Sequence, residues 1–525
     1  MCLPFLNTLR SRSKATEKTT LLDSSTGIST PPTTSNDSKP PPVKDERVLS
    51  NGHTARTLVL CFDGTGDQFD EDNSNVVKFF GLLKKGDRNK QMVYYQAGIG
   101  TYTAAHLTSR LSRETSKVGI IPACNVQQVP FAWEMYSRSD STGFKQSEKF
   151  RNVFSVRAQI EFIGVWDTVE SVGIIPRRLP FTDTNANIRK FRHAVSLDER
   201  RVKFKARLWN FSRQPEHTST GYCELPRKLW RHLSPISKHK DRNQQRRQYE
   251  QAFDEENVVS TPDVKEVWFA GAHCDVGGGS VKDTETVNLA QIPLRWMVRE
   301  CFEAETGIMF SANELRSIGI DPDSIPVKEW DESNNKDGGE ERSQGNKRNT
   351  DNSSSRSPEA AAQVIETKRN DYSTQNHRDT MSSSIERIEK ARKDAVSPMY
   401  DRLRNNRFWW LLEITPWMRI YPKEDKMRRP WRRLGLNLGT GRIIPFPLSG
   451  ETEQESTVKV HKSVRTRMIE EEGYRPRARL TQTKDGHSAR SWPKAEPGDV
   501  DKRASQIDEW VKRNKVEWVA DIDFP

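Results

Sequence analysis

No run of about 20 consecutive apolar residues occurs in this chain of 525, and a membrane-spanning helix needs one, so none is expected. The N-terminus, MCLPFLNTLRSRSK, has too short an apolar core for a secretory signal. Its basic, Ser/Thr-rich character permits a mitochondrial presequence, although a disordered tail fits it better. Cys2 could be acylated, but a single cysteine near a terminus says little. The expected location is cytoplasmic, with peripheral membrane contact as a variant of it. Cysteine is scarce: Cys2, Cys61, Cys124, Cys223, Cys274 and Cys301 show no paired spacing, which excludes a zinc module and points to reduced thiols. Only 34% of the chain is apolar while 30% is charged, so much of it should be solvated or disordered. No RNA-recognition or zinc-finger pattern occurs, and no nucleic-acid partner is expected. There is no internal repeat. A Gly-x-Ser-x-Gly turn, which mounts the nucleophile of many hydrolases, is absent from the whole sequence.

What is present is a set of apolar runs ending abruptly in polar clusters. They are Arg56–Thr65 (RTLVLCFDGT), Phe162–Thr168 (FIGVWDT) and Val267–Gly279 (VWFAGAHCDVGGG). In an open parallel sheet, function collects at the carboxyl ends of such strands. These three would bring Asp63, Asp167 and His273 with Asp275 to one edge. Further apolar runs (MVYYQAGIG, QIEFIGVW) alternate with helical patterns such as Asn288–Phe302, whose start is blurred by Pro293. The alternation predicts an α/β fold with a mostly parallel sheet flanked by helices.

Composition divides the chain. Residues 1–55 read as a disordered tail, and 56–330 as the first part of the α/β domain. A low-complexity insertion covers 331–385. The same domain continues over 386–485, with a helix near Ser384–Arg404 and a strand or helix start at Val458–Met468. The C-terminal tail, 486–525, carries a short amphipathic helix at Ala504–Trp518. The net charge of +12 suits an anionic partner such as a phospholipid surface; a basic surface without a partner is the plainer reading. The aromatic and basic stretch Phe408–Arg433 fits either a membrane interface or tryptophans packed on the sheet, with packing preferred.

The candidate residues each carry two readings. Asp63-Gly64-Thr65 is either a turn that offers free N–H groups to an oxyanion or a plain strand end with a capping Asp. Asp167, mounted on an apolar strand, suits the acid of a catalytic triad and equally a helix cap. His273 on its glycine loop suits a general base, with Asp275 fixing its ring or joining it on a metal. His193 and His461 lack such a loop and are weaker candidates.

Taken together, LVLCFDGTGDQFDEDNSNVVKFF, YYQAGIGTYT, KVGIIPACNVQQVPFAWEMY, FIGVWDTVESVG, RHAVSLDERR and EVWFAGAHCDVGGG resemble one domain. It is the α/β-hydrolase-like catalytic domain of type VI secretion phospholipase effectors of type one, common also in fungal proteins of unknown function. The resemblance covers about 56–310 and resumes near 390–480 in WWLLEITP, WRRLGLNLGTGRIIP and VHKSVRTRM. It implies a Ser-Asp-His carboxyl-ester hydrolase acting on lipid, without a cofactor. It makes Asp167 the acid and His273 the base, and sets Asp63-Gly64-Thr65 beside the pocket as a source of oxyanion donors.

One part of that pattern is missing. In the family the nucleophile elbow falls between the segments like YYQAGIGTYT and KVGIIPACN. Here only Ala104–Ser116 separates them, 13 residues, where a strand–elbow–helix unit needs on the order of 30. Ser109, Ser112 and Ser116 lie in this bridge without flanking glycines. The loss removes the nucleophile and a central strand, leaving two unpaired sheet edges. Either the sequence is an incomplete translation of its gene, the favoured explanation, or it is a shortened and inactive form, a pseudoenzyme. The alternatives to an ester hydrolase are a non-catalytic lipid- or protein-binding module, and a metal-dependent hydrolase using Asp63, Asp167, His273 and Asp275.

Overall fold

The computed structural model describes residues 47–51, 55–64, 67–98, 119–138, 141–156, 159–169, 188–209, 262–325, 384–407, 409–414, 417–421, 431–444, 457–481, 489–494, 498–522 and 524. All belong to the compact unit Asp45–Pro525. Two short or paired strands come first: β1 (Val48–Leu49) and β2 (Thr57–Phe62), the latter parallel to β3 (Gln91–Gln96). Then follow β4 (Ile160–Trp166), β5 (Ile188–Ser196), β6 (Asp263–Phe269) and β7 (Phe310–Ser311). The C-terminal third adds β8 (Trp417–Tyr421), β9 (Trp431–Gly435), β10 (Ile443–Ile444), β11 (Val458–His461), β12 (Arg479–Thr481), β13 (Ala489–Arg490) and β14 (Val516–Val519).

The main sheet has five parallel strands in the order β14-β11-β6-β5-β4. Period-two alternation sends successive residues of its central strands to two different cores. Ala194, Val267 and Phe269 face a core built with helices Asn75–Leu82, Gln291–Glu303 and Ala312–Ser317. Val195 and Trp268 face a second core with helices Lys462–Glu470 and Val500–Arg513. Burial on both faces is what a parallel sheet requires, and the expected α/β class is borne out. Helix Gln291–Glu303 is buried nearly all round, with Arg295, Arg299 and Glu300 included, and Pro293 is tolerated because it sits in the first turn.

The β2–β3 pair stands apart. Its inner residues Val59 and Cys61 join the same core as Val267 and Phe269. Yet among the described residues no strand pairs with the other edge of β2 or with the outer edge of β4. The opposite face of β2 is uncovered: Leu58 is 51% exposed, Leu60 47% and Phe62 36%.

Several expected boundaries are corrected. Val48–Leu49, read as part of the 1–55 tail, pairs with β7 and buries Leu49. The 486–525 segment is no tail: helix Val500–Arg513 runs into β14, the edge strand of the main sheet. The helix expected at Ala504–Trp518 therefore stops at Arg513, and Trp518 is in a strand. The helix near 384–404 covers 384–396 and ends just before Ser397-Pro398, as the residue before a proline disfavours helix. Val458–Met468 holds both a strand and a helix start. Residues 1–46, the bridge Ala104–Ser116 and the insertion up to residue 383 lie outside the described residues.

Candidate active site

The site assembles at the carboxyl ends of β4, β5 and β6. Asp167 follows β4 directly and takes φ 42°, a left-handed conformation that costs a non-glycine residue about 1–3 kcal/mol. Its own N–H donates to the Ala194 carbonyl at 2.7 Å, which ties the turn to β5. The carboxylate is fully buried. Oδ1 accepts from the Ser196 N–H at 2.8 Å and from Arg442 Nη1 at 2.5 Å. Oδ2 accepts from Arg442 Nη2 at 2.9 Å and meets His273 Nδ1 at 2.7 Å. Burial alone would raise this carboxyl, but the Arg442 guanidinium and His273 together hold it well below the usual carboxylate range.

His273 opens the short helix His273–Gly277, and its N–H donates to Glu199 Oε2 at 3.2 Å. An imidazole that turns Nδ1 to a carboxylate donates its proton there when neutral and presents Nε2 as the acceptor. The ring is 26% exposed. Phe204 packs edge-on against it at 4.9 Å, and Trp409 packs on Phe204 at 5.6 Å. Arg201 stacks over both aromatic rings and pairs with Glu199. Cys274, beside the base, has its thiol pushed up by burial, which makes it a poor replacement for a serine nucleophile.

The other expected residues do different work. Asp275 does not reach His273. It is buried, accepts from the Ala272 N–H at 2.9 Å and the Tyr400 N–H at 3.0 Å, and is pushed up to about 7 by burial. It is the internal cap of its helix. The Gly271 loop needs glycine for a physical reason: φ is +110°, and a Cβ there would lie 2.4 Å from that of Asp275. Gly278 brings its loop against the backbone of Ser74 and Asn75.

Asp63 ends β2 and is saturated. Its Oδ1 accepts from Gly64 N–H at 2.9 Å and Ser74 Oγ at 2.6 Å, and its Oδ2 from Tyr95 Oη at 2.6 Å. The Gly64 N–H is thereby engaged rather than offered to an oxyanion. Thr65 lies outside the described residues. Among the described residues no three His, Cys, Asp or Glu side chains are grouped to hold a metal ion.

Two contributors, Arg442 and Asp67, were not read from the sequence, and a third, His193, was read only as a weaker candidate. Arg442, 275 positions from Asp167, also donates to the Ser196 and Phe204 carbonyls, which locks it across the strand ends. His193 is buried on β5, where its Nε2 accepts from the Thr168 N–H at 3.2 Å and its Nδ1 meets Glu266 at 3.0 Å. It therefore steadies the turn that carries the acid. Asp67 lies on the exposed loop after Gly64, but its carboxyl is pushed up to about 6 by partial burial and by Asp63, against the pull of nearby His273. No local pattern marks these three. His461 caps helix Lys462–Glu470 and meets Asp521, away from this cluster.

The family model described as "T6SS, Phospholipase effector Tle1-like, catalytic domain" matches residues 56–117 and 107–300. An uncharacterised protein of Saccharomyces cerevisiae is 24% identical over 586 residues, with 81% of each chain covered. The resemblance read from the motifs is borne out by both. A crystal structure of an uncharacterised protein from Pseudomonas aeruginosa is similar at 15% identity and a TM-score of 0.26, over 48% of this chain. The match spans about half of that protein, 47%.

Proposed function

We propose that this chain, a member of the Tle1-like phospholipase effector family, carries the acid and base of a Ser-Asp-His ester hydrolase acting on lipid and lacks its nucleophile. The observation that carries the reading is the 2.7 Å contact of His273 Nδ1 with a buried Asp167 clamped by Arg442. A carboxylate so held keeps the imidazole oriented and stabilises the imidazolium that forms when a serine proton is taken. The acid precedes the histidine, as in α/β-hydrolases, where the serine comes before both.

The missing segment fits the same reading. The family matches fall in two stretches that overlap at 107–117 instead of one run. The alignment to the yeast relative spans 586 positions, more than the 525 here, so that relative has residues with no counterpart in this chain. The edges of β2 and β4 that no described strand pairs are where an elbow-bearing strand would insert. A second reading, a non-catalytic lipid-binding module, is favoured by the absent Gly-x-Ser-x-Gly if the chain exists in this short form.

The native transcript should be sequenced across the codons for Gly100 to Pro122. A longer product with a glycine-flanked serine is expected to hydrolyse glycerophospholipid. Asp167→Asn or His273→Ala in it should reduce kcat by about 10³-fold or more. Full activity in both variants would overturn the assignment. The short product is expected to show no turnover above background; clear turnover by it would overturn the role of the missing serine.

A further inference from the structure

We propose that helix Trp409–Glu413 and the adjoining loop 436–439 form a docking face for an anionic phospholipid surface, set beside His273. It deepens the lipid reading above, resting on it for the substrate but not for the binding itself.

The face inverts the usual order of polar and apolar residues. Glu413 is only 1% exposed, and it accepts from the Val202 N–H at 2.6 Å, Asn437 Nδ2 at 2.6 Å and the Gly439 N–H at 3.1 Å. Around it, Trp410 is 38% exposed, Leu411 56% and Ile414 54%. The loop repeats the pattern: Asn437 is buried, while Leu436 and Leu438 on either side are 45% and 55% exposed. Leu438 also takes φ 47°, a strained conformation for a leucine. The Glu413–Asn437–Gly439 bonds thus hold two segments with their carboxylate and amide inward and their leucines in water. Exposed apolar side chains on two segments bonded to each other suit an interaction surface.

Charge selects the partner. A cavity of about 570 Å³ beside the patch is lined by Arg200, Leu403, Arg404, Arg407 and Trp410. Arg200 is neutralised by Asp401 at 2.6 Å. Arg404 and Arg407 are exposed, and neither pairs with an acid among the described residues. The Trp410 Nε1–H is already spent on the Leu403 carbonyl at 3.0 Å, so its exposed ring is an apolar surface. Apolar side chains flanked by unpaired guanidinium groups match a bilayer with anionic headgroups. The face is coupled to the site through Trp409, Phe204 and His273, which would put a docked lipid next to the base.

The test is co-sedimentation of the full chain with phosphatidylcholine vesicles, with and without phosphatidylglycerol. Two variants are compared, Arg404→Glu/Arg407→Glu and Leu411→Ser/Ile414→Ser, with thermal melts to verify folding; their sites are exposed. Binding to anionic vesicles that fades at about 0.5 M salt and drops about tenfold or more in each variant is expected. Undiminished binding by either variant, or none by the parent chain, would overturn the proposal. So would a lipid-independent dimer that Leu411→Ser/Ile414→Ser dissolves without vesicle binding, since a second copy would then own the face. A longer, elbow-bearing form assayed on a soluble ester separates the two readings: hydrolysis without vesicle binding sinks the docking face alone, and binding without hydrolysis sinks the enzyme alone.

Discussion

At the level of single residues, the contact between Asp167 and His273 is braced by Arg442. Asp167 is fully buried, and an unpaired buried carboxylate is costly. Arg442→Met should therefore destabilise the fold by about 3–5 kcal/mol at pH 7, read from urea denaturation. The sign of its pH dependence follows from the depressed Asp167 carboxyl. That carboxylate contributes stability above the usual value of about 3.9, and the contribution is lost as pH falls through its lower folded value. Without Arg442 burial dominates, the group protonates earlier, and the gap between variant and parent should narrow as pH falls below about 4. A gap under about 1 kcal/mol at pH 7 would mean that Asp167 does not need its clamp. Asp167 and His273 were legible because an acid at a strand end and a histidine on a glycine loop are local patterns. Arg442 was not: it is one of 84 basic residues, and only the closure of β10 over the strand ends brings it to Asp167. Asp275 was misread for a similar reason, since its true partner is the Tyr400 N–H, 125 positions away.

At the level of elements, β2 shows what is legible and what is not. Its continuous apolar run predicts a strand, but Val59 and Cys61 face the core while Leu58, Leu60 and Phe62 face solvent. A strand of a doubly covered parallel sheet is apolar on both faces, and β2 is written for a covering that the described residues do not supply. Leu60→Ser should change the stability of this chain by no more than about 0.5 kcal/mol, whereas Val59→Ala should cost roughly 1–3 kcal/mol. In a form that carries the elbow unit, Leu60→Ser should become the damaging change. Equal effects in both forms would show that the missing unit does not pack on β2. The C-terminal elements were hidden for a different reason. The segment 516–519 is short, and its burial comes from β11 and the helix before it, contacts that a local pattern does not display.

Across the whole molecule, the described strands β2–β3 and β14-β11-β6-β5-β4 form two ladders that no described strand joins. The five strands β14-β11-β6-β5-β4 carry Asp167 and His273 at their carboxyl ends, and the β2–β3 pair holds Asp63 and Asp67. A common core on one side joins the two parts, with Phe79 packing on Trp166 at 5.9 Å, while no strand ladder among the described residues does. Backbone groups along an open edge meet water instead of a partner. Half the amides of β4 point towards β5 and are bonded there; the other half point to the open edge. Hydrogen exchange should therefore divide β4 by alternation, with amides facing β5 protected and those facing the open edge exchanging far faster. The amides of β2 turned away from β3 should behave the same way. In an elbow-bearing form both sets should become protected together, because one inserted strand pairs with both edges at once. Uniform slow exchange along β4 in the short chain would mean that another segment already closes the sheet, and the absence of the elbow would then be a settled feature of this protein instead of a gap in it.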